Sequence, residues 1–590
     1  MTYVADTAIG AAPPTSLPAR PGEASQPGHD AARAALEHFH ARLGENFYLS
    51  NPELRHTVAF HIGDRLDSEL ASHGAAVAEA EPLVAANDER LNYPRLEPYD
   101  GVGRRVDRID HHGNYAAVGD VIYGSGVVAR LVEVGGLREG HAFNLLNCML
   151  GEAGHNCPVI CNFETARLLQ RLDGLPQRDE WLAGLLEPSY TRNLTASQFL
   201  TEVTGGSDVG ANATVAWRDD QGNWRIRGEK WFASNADADL NVITARFDPE
   251  RPRTKGLSVF LVPARLPSGE RNSYTLRRLK EKLGTRALAT AEIDYHDAWA
   301  VPLTDHVERG FNTMMEDVVH HSRIAMGVSC LGLATRAYQI ARIYADERTV
   351  FGRRVIEHAL AQENLANIRA HVTAMQAGVF RLIAMQDEVD TGADERSERV
   401  GFIRLMANVY KHVVSQAAVD HCHHALDTLG GNGAIETFSS IPRLLRDAII
   451  EENWEGTHNT VRAQVLRDML RYEVDAAYLA VMEEEVEHIP SLPEAAAARR
   501  ALERLRDGFA KLRGADADAQ PLIVQHQLHE MANLSAWVAL LAEAEHQQST
   551  EGVKTKAAAA RYFQSRTLDG SAPTYDVAGR ELIAAVVGAR

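Results

Sequence analysis

The stretch ATVAWRDDQGNWRIRGEKWFA, from Ala213 to Ala233, is the part of the chain that decides the fold. Strand-favouring Val, Trp, Ile and Phe lie on either side of the turn DQGN, a pattern that predicts a β-hairpin. Three further β-rich segments follow: LNVITARF (240–247), LSVFLVPA (257–264) and ATAEIDYHDAWA (289–300). The sequence therefore predicts a small β domain over residues 195–303.

Helical patterns precede this β domain. VVARLVEVGG (127–136) and ETARLLQRLDGL (164–175) have apolar residues at helical spacing and end near glycines. We predict an N-terminal helical domain over residues 31–194. The first thirty residues are rich in Pro, Ala, Gly and Ser, which is typical of a disordered tail.

Helical patterns return after the β domain. LATRAYQIARIYADER (333–348) and LMANVYKHVVSQAAVDHCHHALDTLGG (405–431) each place apolar residues on one face, and the second ends in glycines suited to a helix C-terminus. Long antiparallel helices predict a helical bundle over residues 304–475, followed by a C-terminal helical extension of three or four helices over 476–590. The expected fold class is mainly α with a central β module.

Composition narrows the kind of protein. The 590 residues carry a net charge of −19, which gives no global attraction to nucleic acid. The five cysteines lack the spacing of a disulfide framework and favour a reducing compartment, so we expect a cytoplasmic protein. We identify no secretory signal pattern and no apolar run long enough to span a membrane.

Seven short motifs occur in a fixed order along the chain. They are LTEVTGGSDV (200–209), GEKWFASN (228–235), KLGTR (282–286), ERTVFGRR (347–354), LGGNG (429–433), LLRDA (444–448) and WEGT (454–457). In order and separation they resemble the acyl-CoA dehydrogenase superfamily over about residues 120–470. The resemblance implies an N-terminal helical domain, a small β-barrel domain and a four-helix bundle.

One branch of that superfamily is most similar. RLPSGERNSYTLRRLKEKLGTR (265–286), the YLSN stretch (48–51) and the long C-terminal extension resemble the bacterial alkylation-response flavoprotein AidB. This resemblance adds a DNA-associated role as an alternative. However, residues 476–590 hold 16 acidic and 12 basic residues, where a nucleic-acid module is expected to be basic, so this composition disfavours nucleic acid as a partner.

The resemblance implies an FAD cofactor. The Gly205-Gly206-Ser207 loop can offer backbone N–H groups and a hydroxyl to an anion, or it can be a plain turn. Phe232 stands where most family members stack a tryptophan on the flavin, and Trp231 is at least as suited to a core position. The cofactor-binding positions carried over from the family are Thr201, Gly206, Ser207, Phe232, Ser234, Arg348, Phe351, Gly430, Gly431, Thr457 and Asn459.

Two arginines have a functional and a structural interpretation. Arg348 matches the family arginine that reaches the FAD pyrophosphate of a neighbouring subunit, which implies a homotetramer or dimer of dimers; alternatively it pairs with Glu347 or Asp346. Arg323 matches an arginine near the active site, or forms a helix salt bridge.

Glu455, in the WEGT motif, is the candidate catalytic base. A carboxylate beside the apolar bulk of Trp454 has a raised pKa suited to proton abstraction. In the family the matching glutamate removes the α proton of an acyl thioester while the β carbon delivers hydride to flavin N5. Some members carry the base on the helix of Arg323, but that position here is Ser322.

Other clusters favour structural interpretations. His421, Cys422, His423 and His424 point around a helix, so we predict no metal site there. Cys157 and Cys161 are interpreted as packed thiols. The favoured function is FAD-dependent dehydrogenation of an acyl thioester, with an electron-transfer flavoprotein as possible partner; the alternatives are an AidB-like DNA-associated flavoprotein and a flavin oxidase or monooxygenase.

Overall fold

The computed structural model describes residues 27–175, 177–569 and 575–588. Of the predicted N-terminal tail, residues 1–26 lie outside this described part. Helix α1 (Pro27–Leu43) begins at Pro27, so the last four positions assigned to the tail are helical instead.

The N-terminal region combines helices with one hairpin. Its further helices are α2 (Pro52–His61), α3 (Asp67–Asn87), α4 (Asn114–Gly124), α5 (Val127–Val132), α6 (Leu137–Cys148), α7 (Ala153–Arg171) and α8 (Arg178–Leu186). The sequence did not indicate the strands β1 (Arg95–Tyr99) and β2 (Arg105–Asp110), which pair antiparallel within this helical domain. The hairpin packs on the β domain, where the Leu276 N–H donates to Asp107 at 3.2 Å.

The central β domain is a closed barrel, which agrees with the expectation. Its strands are β3 (Ala196–Phe199), β4 (Val215–Arg218), β5 (Trp224–Ser234), β6 (Leu240–Arg246), β7 (Leu257–Pro263), β8 (Tyr274–Leu279) and β9 (Thr290–Pro302). The ring runs β6–β4–β5–β9–β7 and closes where β7 pairs with β6; β3 and β8 add to β6 and β9. Phe199, Ile226, Phe260 and Tyr295 fill its own core.

The bundle is built on long helices whose apolar faces meet. After α9 (Gly310–Thr313) and a π-helical turn (Met314–Val319) come α10 (His320–Glu347), a short hairpin of β10 (Thr349–Val350) and β11 (Arg353–Arg354), α11 (Ala359–Asp390), α12 (Ser397–Leu429), α13 (Ile441–Glu451) and α14 (His458–Tyr472). Helix α12 ends at Gly430, whose φ of 60° suits glycine.

Helices α6 and α10 approach closely because position 332 is a glycine. A Cβ on Gly332 would lie 2.7 Å from the Cβ of Cys148 and 3.0 Å from the carbonyl oxygen of Leu145. Both distances are too short for a side chain, so the two helices could not pack this way with alanine there. This contact sets the width of the space between α6 and α10.

The C-terminal extension packs on the bundle. Its helices are α15 (Val474–Glu487), α16 (Leu492–Gly514), α17 (Gln520–Glu551), α18 (Thr555–Thr567) and α19 (Val577–Val587), one more in the described residues than the sequence suggested. Helix α17 lies against α11, and α15 lies against α12. The expected boundary at 475/476 falls inside α15.

A buried polar cluster joins this extension to α2. The Lys556 ammonium, fully buried, pairs with Glu543 and donates to Thr57 Oγ1 at 2.8 Å. Thr57 in turn donates to Glu543 at 2.9 Å and accepts from Gln376 at 3.0 Å. Four helices from distant parts of the chain therefore depend on one ion pair.

Among the described helices, none combines the length and apolar character that crossing a membrane requires.

Candidate active site

A narrow pocket lies at the junction of the N-terminal helices, the barrel and the bundle. Its walls come from α6, α7, β3, α10 and the loop that follows α13, and its cavity volume is about 50 Å³. Glu455 and Trp454 line it, as do Cys157 and Cys161, which are packed thiols as expected and also form part of the pocket wall.

The loop that carries Glu455 has an unusual backbone. Glu455 has φ 55° and Gly456 has φ 105°, two successive left-handed conformations. The first costs a non-glycine residue about 1 kcal/mol or more, so surrounding contacts must hold it.

Two buried cations hold this loop. Arg323 donates to the Glu455 carbonyl oxygen through Nε at 3.1 Å and Nη2 at 3.0 Å. Lys411, fully buried on α12, donates through Nζ to the carbonyl oxygens of Glu452 at 2.8 Å and Gly456 at 2.6 Å. Arg323 is thus placed beside the candidate base, and its bonds to Asn408 and Gln464 fix it there.

The same two cations act on the Glu455 carboxyl. Burial raises the pKa of Glu455, while Arg323 and Lys411 oppose that rise. Burial lowers the pKa of Arg323 to about 10 and that of Lys411 to about 8, so both are mostly charged near neutral pH. The role of Lys411 was not predicted from the sequence. The only signal there is a single charged residue within an apolar helical run.

A second acid, also missed, lies beside the pocket. The Glu164 carboxyl is buried on α7 and accepts from Ser322 Oγ at 2.6 Å and Gln198 Nε2 at 3.1 Å. Burial raises the pKa of Glu164 well above its usual value, and Glu455 adds to the rise. Position 322 is a serine, but Glu164 is therefore a second acid beside Glu455 near this end of the pocket.

A third acid lines the pocket directly. Glu451, the last residue of α13, is 4% exposed and accepts from the Cys330 thiol at 3.5 Å. Burial raises the pKa of Glu451 to about 8. The groups that act on it are Ser329, Cys330 and the carboxyl of Asp447, none of them a cation.

The glycine loop of the barrel meets the loop after Glu455. Ser207 Oγ lies 2.8 Å from Thr460 Oγ1, which lies 3.0 Å from Thr457 Oγ1. A Cβ on Gly206 would lie 2.6 Å from Thr201 Oγ1, so Thr201 packs directly on that loop. The structure therefore brings Thr201, Gly206, Ser207 and Thr457 together.

Strand β5 adds Phe232 and Ser234 next to this group. The Trp231 N–H donates to the Thr201 carbonyl oxygen at 2.9 Å, which ties β5 to the glycine loop. The Phe232 ring is 51% exposed, with the Lys280 ammonium 4.8 Å from its centre. Ser234 Oγ lies 3.0 Å from Thr290 Oγ1, which accepts from Lys282 at 2.9 Å.

Four predicted cofactor positions lie elsewhere. Arg348 follows the last residue of α10, 25 residues beyond Arg323, so about 38 Å separates them along one continuous helix. Gly430 and Gly431 lie at this remote end, where Asn432 donates to the Tyr344 hydroxyl at 3.2 Å. The fourth position, Phe351, is 96% exposed in the β10–β11 hairpin.

The alternative ion pairs for Arg348 are not formed in the described residues. Asp346 pairs with Arg342 at 3.1 Å, and Glu347 pairs with Arg42 at 3.1 Å. The remaining candidate, Asn459, is exposed in the first turn of α14 and accepts from Arg462 at 3.1 Å.

The histidines of the cluster on α12 differ in their exposure. His421 is buried with its ring 4.8 Å from that of His371, whereas His423 and His424 are exposed. Within the described residues, no three His, Cys, Asp or Glu side chains are grouped so as to hold a metal ion.

Three parts of the chain match family models. Residues 26–192 match the adaptive response protein AidB N-terminal domain, 197–298 the acyl-CoA dehydrogenase middle domain, and 308–470 the acyl-CoA dehydrogenase C-terminal domain. The putative acyl-CoA dehydrogenase AidB of Escherichia coli (strain K12) is 30% identical over 437 residues, which cover 72% of this chain and 77% of that protein.

Solved structures show the same fold. Caenorhabditis elegans ACDH-11 in complex with C11-CoA has a TM-score of 0.81 at 25% identity, covering 89% of this chain and 92% of that one. An acyl-CoA dehydrogenase from Bacillus anthracis complexed with FAD has a TM-score of 0.60 at 18% identity, covering 96% and 88%.

The chain therefore belongs to the acyl-CoA dehydrogenase family, FAD-dependent oxidoreductases that act on CH–CH bonds. Its N-terminal match and its similarity to the Escherichia coli protein place it in the AidB branch.

Proposed function

We propose that this protein binds FAD and catalyses the α,β-dehydrogenation of an acyl-CoA thioester, with Glu455 as the base that removes the α proton. The pocket adjoining Glu455 and the C11-CoA bound by the related ACDH-11 support an acyl-CoA substrate. Arg323 acts as a positioning residue because its contacts are with the loop of the base.

The charges around the three pocket acids carry this assignment. A general base must be ionised to accept a proton. Arg323 and Lys411 favour the ionised form of Glu455, whereas the groups acting on Glu451 and most strongly on Glu164 include no cation. Glu455 is therefore the acid best suited to act as base, because cations lie beside its carboxyl alone among the three.

The residues present fit FAD. Gly206 leaves no Cβ in the glycine loop, the half-exposed Phe232 ring offers a stacking surface, and Ser207, Ser234 and Thr457 offer hydroxyl groups. These residues, with Thr201, would hold the flavin end of the cofactor. When bound, FAD supplies the hydride acceptor for the β carbon.

The chain itself performs the proton chemistry. The Glu455 carboxylate removes the α proton, and the Glu455 backbone N–H is the proposed donor to the thioester carbonyl. The burial that raises the Glu455 pKa makes it a stronger base than an exposed glutamate, and the two cations favour the ionised form that accepts the proton.

Anaerobic reduction of the bound flavin tests this function. Flavin absorbance should bleach when the purified FAD-loaded protein is mixed with at least one thioester from a panel of acyl-CoAs of different lengths. Absence of bleaching by every thioester, in protein that retains FAD and its native melting transition, would contradict the proposal.

The positions of the cofactor residues support a site built from two chains. Arg348, Phe351, Gly430 and Gly431 lie at the end of α10 that is about 38 Å from Arg323, too far to reach the cofactor site of their own chain. The exposed apolar side chains of Phe351, Leu360 and Ile435, 96%, 83% and 46% exposed, lie near that remote end and suit contact with another copy. We therefore propose a homotetramer or dimer of dimers in which Arg348 binds the FAD pyrophosphate of a neighbour.

Mixing two inactive variants tests the shared site. Arg348→Ala and Glu455→Gln proteins should each be inactive. Unfolded and refolded together, they should recover about a quarter of wild-type activity, because half of random dimers are mixed and one of their two sites is intact. Arg353→Ala, a nearby exposed arginine, is the matched control and should retain FAD. Mixtures that stay inactive, although native-gel mass shows mixed oligomers, would rule out a shared site.

The pH dependence of flavin reduction should show the effect of Lys411 on the pKa of Glu455. Because Glu455 must be ionised, the rate should rise with pH through a midpoint above 4.5, the usual value for glutamate. Lys411→Met removes a cation that lowers the Glu455 pKa, so the midpoint should move to higher pH. An unchanged midpoint in the variant, measured by stopped-flow reduction from pH 5 to 9, would show that Lys411 does not act on the base.

The electron acceptor and the alternatives remain predictions. An electron-transfer flavoprotein is the expected acceptor, and rapid reoxidation by oxygen alone would favour the oxidase alternative. On α16, Arg506 pairs with Glu483 and Arg513 with Asp475, which reduces the positive charge available to nucleic acid. The five free cysteines support the proposed cytoplasmic location.

A further inference from the structure

Lys282 is a partly buried cation beside the hydroxyl groups of β5 and β9. It lies in the loop after β8, and its ammonium donates to the Leu288 carbonyl oxygen at 2.7 Å and to Thr290 Oγ1 at 2.9 Å. In the described part of the chain it forms no ion pair with a carboxylate. A cation that is taken out of water and held only by neutral acceptors is unfavourable, so this position needs a reason.

Three other lysines are buried, and they show which arrangement is usual in this chain. Lys230 and Lys556 each pair with a buried carboxylate. Lys411, like Lys282, donates to backbone carbonyl oxygens and, among the described residues, has no carboxylate partner. Lys411 holds the loop of the candidate base, and Lys282 lies at the serine and threonine of the barrel. Both lysines without a carboxylate partner are therefore at the candidate active site.

Nearby acids do not neutralise Lys282. Burial lowers the pKa of Lys282 to about 8, and the carboxyls of Asp447 and Glu152 and the thiol of Cys157 oppose that shift. Burial also raises the pKa of Asp447 to about 7 and that of Glu152 to about 8. Lys282 therefore keeps most of its charge near neutral pH, while neither carboxyl is fully ionised.

The hydrogen bonds that start at Lys282 have a definite direction. An ammonium group can only donate, so Thr290 Oγ1 accepts from it. Thr290 is 2% exposed, and within the described residues its hydroxyl proton has one acceptor in reach, Ser234 Oγ at 3.0 Å. Because a buried hydroxyl proton without an acceptor is unfavourable, Thr290 donates to Ser234. The hydroxyl proton of the partly exposed Ser234 is then left to donate to a ligand.

Building on the proposed FAD-dependent dehydrogenation, we propose that Lys282 is a positioning residue that acts through Thr290 to make Ser234 a hydrogen-bond donor to the flavin, and so raises the flavin reduction potential. In that reaction Glu455 takes the α proton and the flavin takes a hydride from the β carbon, which leaves a carbon–carbon double bond in the substrate. The flavin thereby gains two electrons and negative charge.

The short chain of hydrogen bonds explains how Lys282 stabilises that charge. Its Nζ lies within about 6 Å of Ser234 Oγ, since the two bonds that join them are 2.9 and 3.0 Å long. Hydrogen bonds in a chain polarise one another, so the cation strengthens the Ser234 hydroxyl as a donor. A cation this close to the site also attracts the added charge directly.

The midpoint potential of the bound flavin, titrated anaerobically with a chemical reductant, tests this role without any substrate. Lys282→Met keeps the length of the side chain and removes the charge. The equilibrium constant for two-electron reduction should fall at least tenfold, about 30 mV. Lys282→Arg should recover most of the potential, and Lys511→Met, which removes an exposed lysine on α16, should leave it unchanged. An unchanged potential in FAD-loaded Lys282→Met would overturn the inference.

A second pair of variants tests the route through Thr290. Thr290→Val keeps the shape of the side chain and the cation but removes the hydroxyl, so it should lower the potential, whereas Thr290→Ser should not. If Lys282→Met fails to fold or to retain FAD, this pair decides, and equal potentials in Thr290→Val and the wild type would overturn the inference.

The outcome is separable from that of the proposed function. Flavin bleached by an acyl-CoA, with the same potential in the wild type and both variants, would overturn this inference and leave the proposed function intact. Potentials that shift as expected, in protein that no acyl-CoA reduces, would support the role of Lys282 and contradict the proposed function.

Discussion

Replacing Glu455 by glutamine should slow anaerobic flavin reduction by about 10²–10⁴-fold, the range that a positioned general base contributes. Glutamine keeps the size of the side chain and the backbone bonds from Arg323 to the residue 455 carbonyl, so the change removes little except the basic group. Stopped-flow absorbance of the bound flavin, mixed with the best acyl-CoA of the panel, measures the loss directly.

Two matched variants distinguish the base from other acids nearby. Glu164→Gln and Glu452→Gln also replace a carboxyl by an amide in or near the pocket, and each should change the rate by less than tenfold. The Lys411 bond to residue 452 uses the backbone carbonyl and survives the second change. A severe loss in Glu164→Gln with little loss in Glu455→Gln would transfer the catalytic role to Glu164.

Replacing Lys556 by methionine should destabilise the protein by about 3 kcal/mol, because it removes the ammonium paired with the buried Glu543 carboxylate and leaves only His61, 3.3 Å away, beside it. Urea unfolding followed by circular dichroism measures the change. Limited proteolysis should also cut α17 and α18 sooner, since this ion pair fastens both helices to α2. Lys554→Met, an exposed lysine two residues away, should change stability by less than about 0.5 kcal/mol.

A double replacement identifies the cause of that loss. Adding Glu543→Gln to Lys556→Met removes the stranded charge and should restore part of the stability; a further loss would indicate that packing dominates. The pH dependence has a definite sign. The pKa of Glu543 is lowered to about 2, so its contribution is complete above about 4.5 and is lost as the pH falls toward 2.

The order of the domains could be predicted because each domain has a local sequence pattern of its own. The DQGN turn and its flanking strands predict the barrel, and the long helical runs predict α10 and α12. The β1–β2 hairpin was missed because it lies between helices and depends on docking to the barrel, where Leu276 bonds to Asp107. Tertiary packing, rather than local propensity, stabilises such a short hairpin.

The candidate site likewise contains residues that the sequence could locate and residues that it could not. Glu455 and the glycine loop lie in ordered motifs, so a resemblance could locate them. Lys411, Glu164 and Glu451 lie in helices, and their importance comes from burial against elements distant in sequence. A single charged residue in an apolar run does not indicate which cavity it will face. The separation of Arg348 from the Gly206 loop likewise becomes visible only when α10 proves to be one continuous helix.

The most direct test of the proposed mechanism is the structure of the FAD-loaded protein with an acyl-CoA in which sulfur replaces the β carbon, so that no hydride can leave. The α carbon of this analogue should lie about 3–3.5 Å from a Glu455 carboxylate oxygen, with the flavin on the opposite face. An analogue bound away from Glu455, or a Glu455 carboxyl turned away from the ligand, would contradict the assignment of Glu455 as the base.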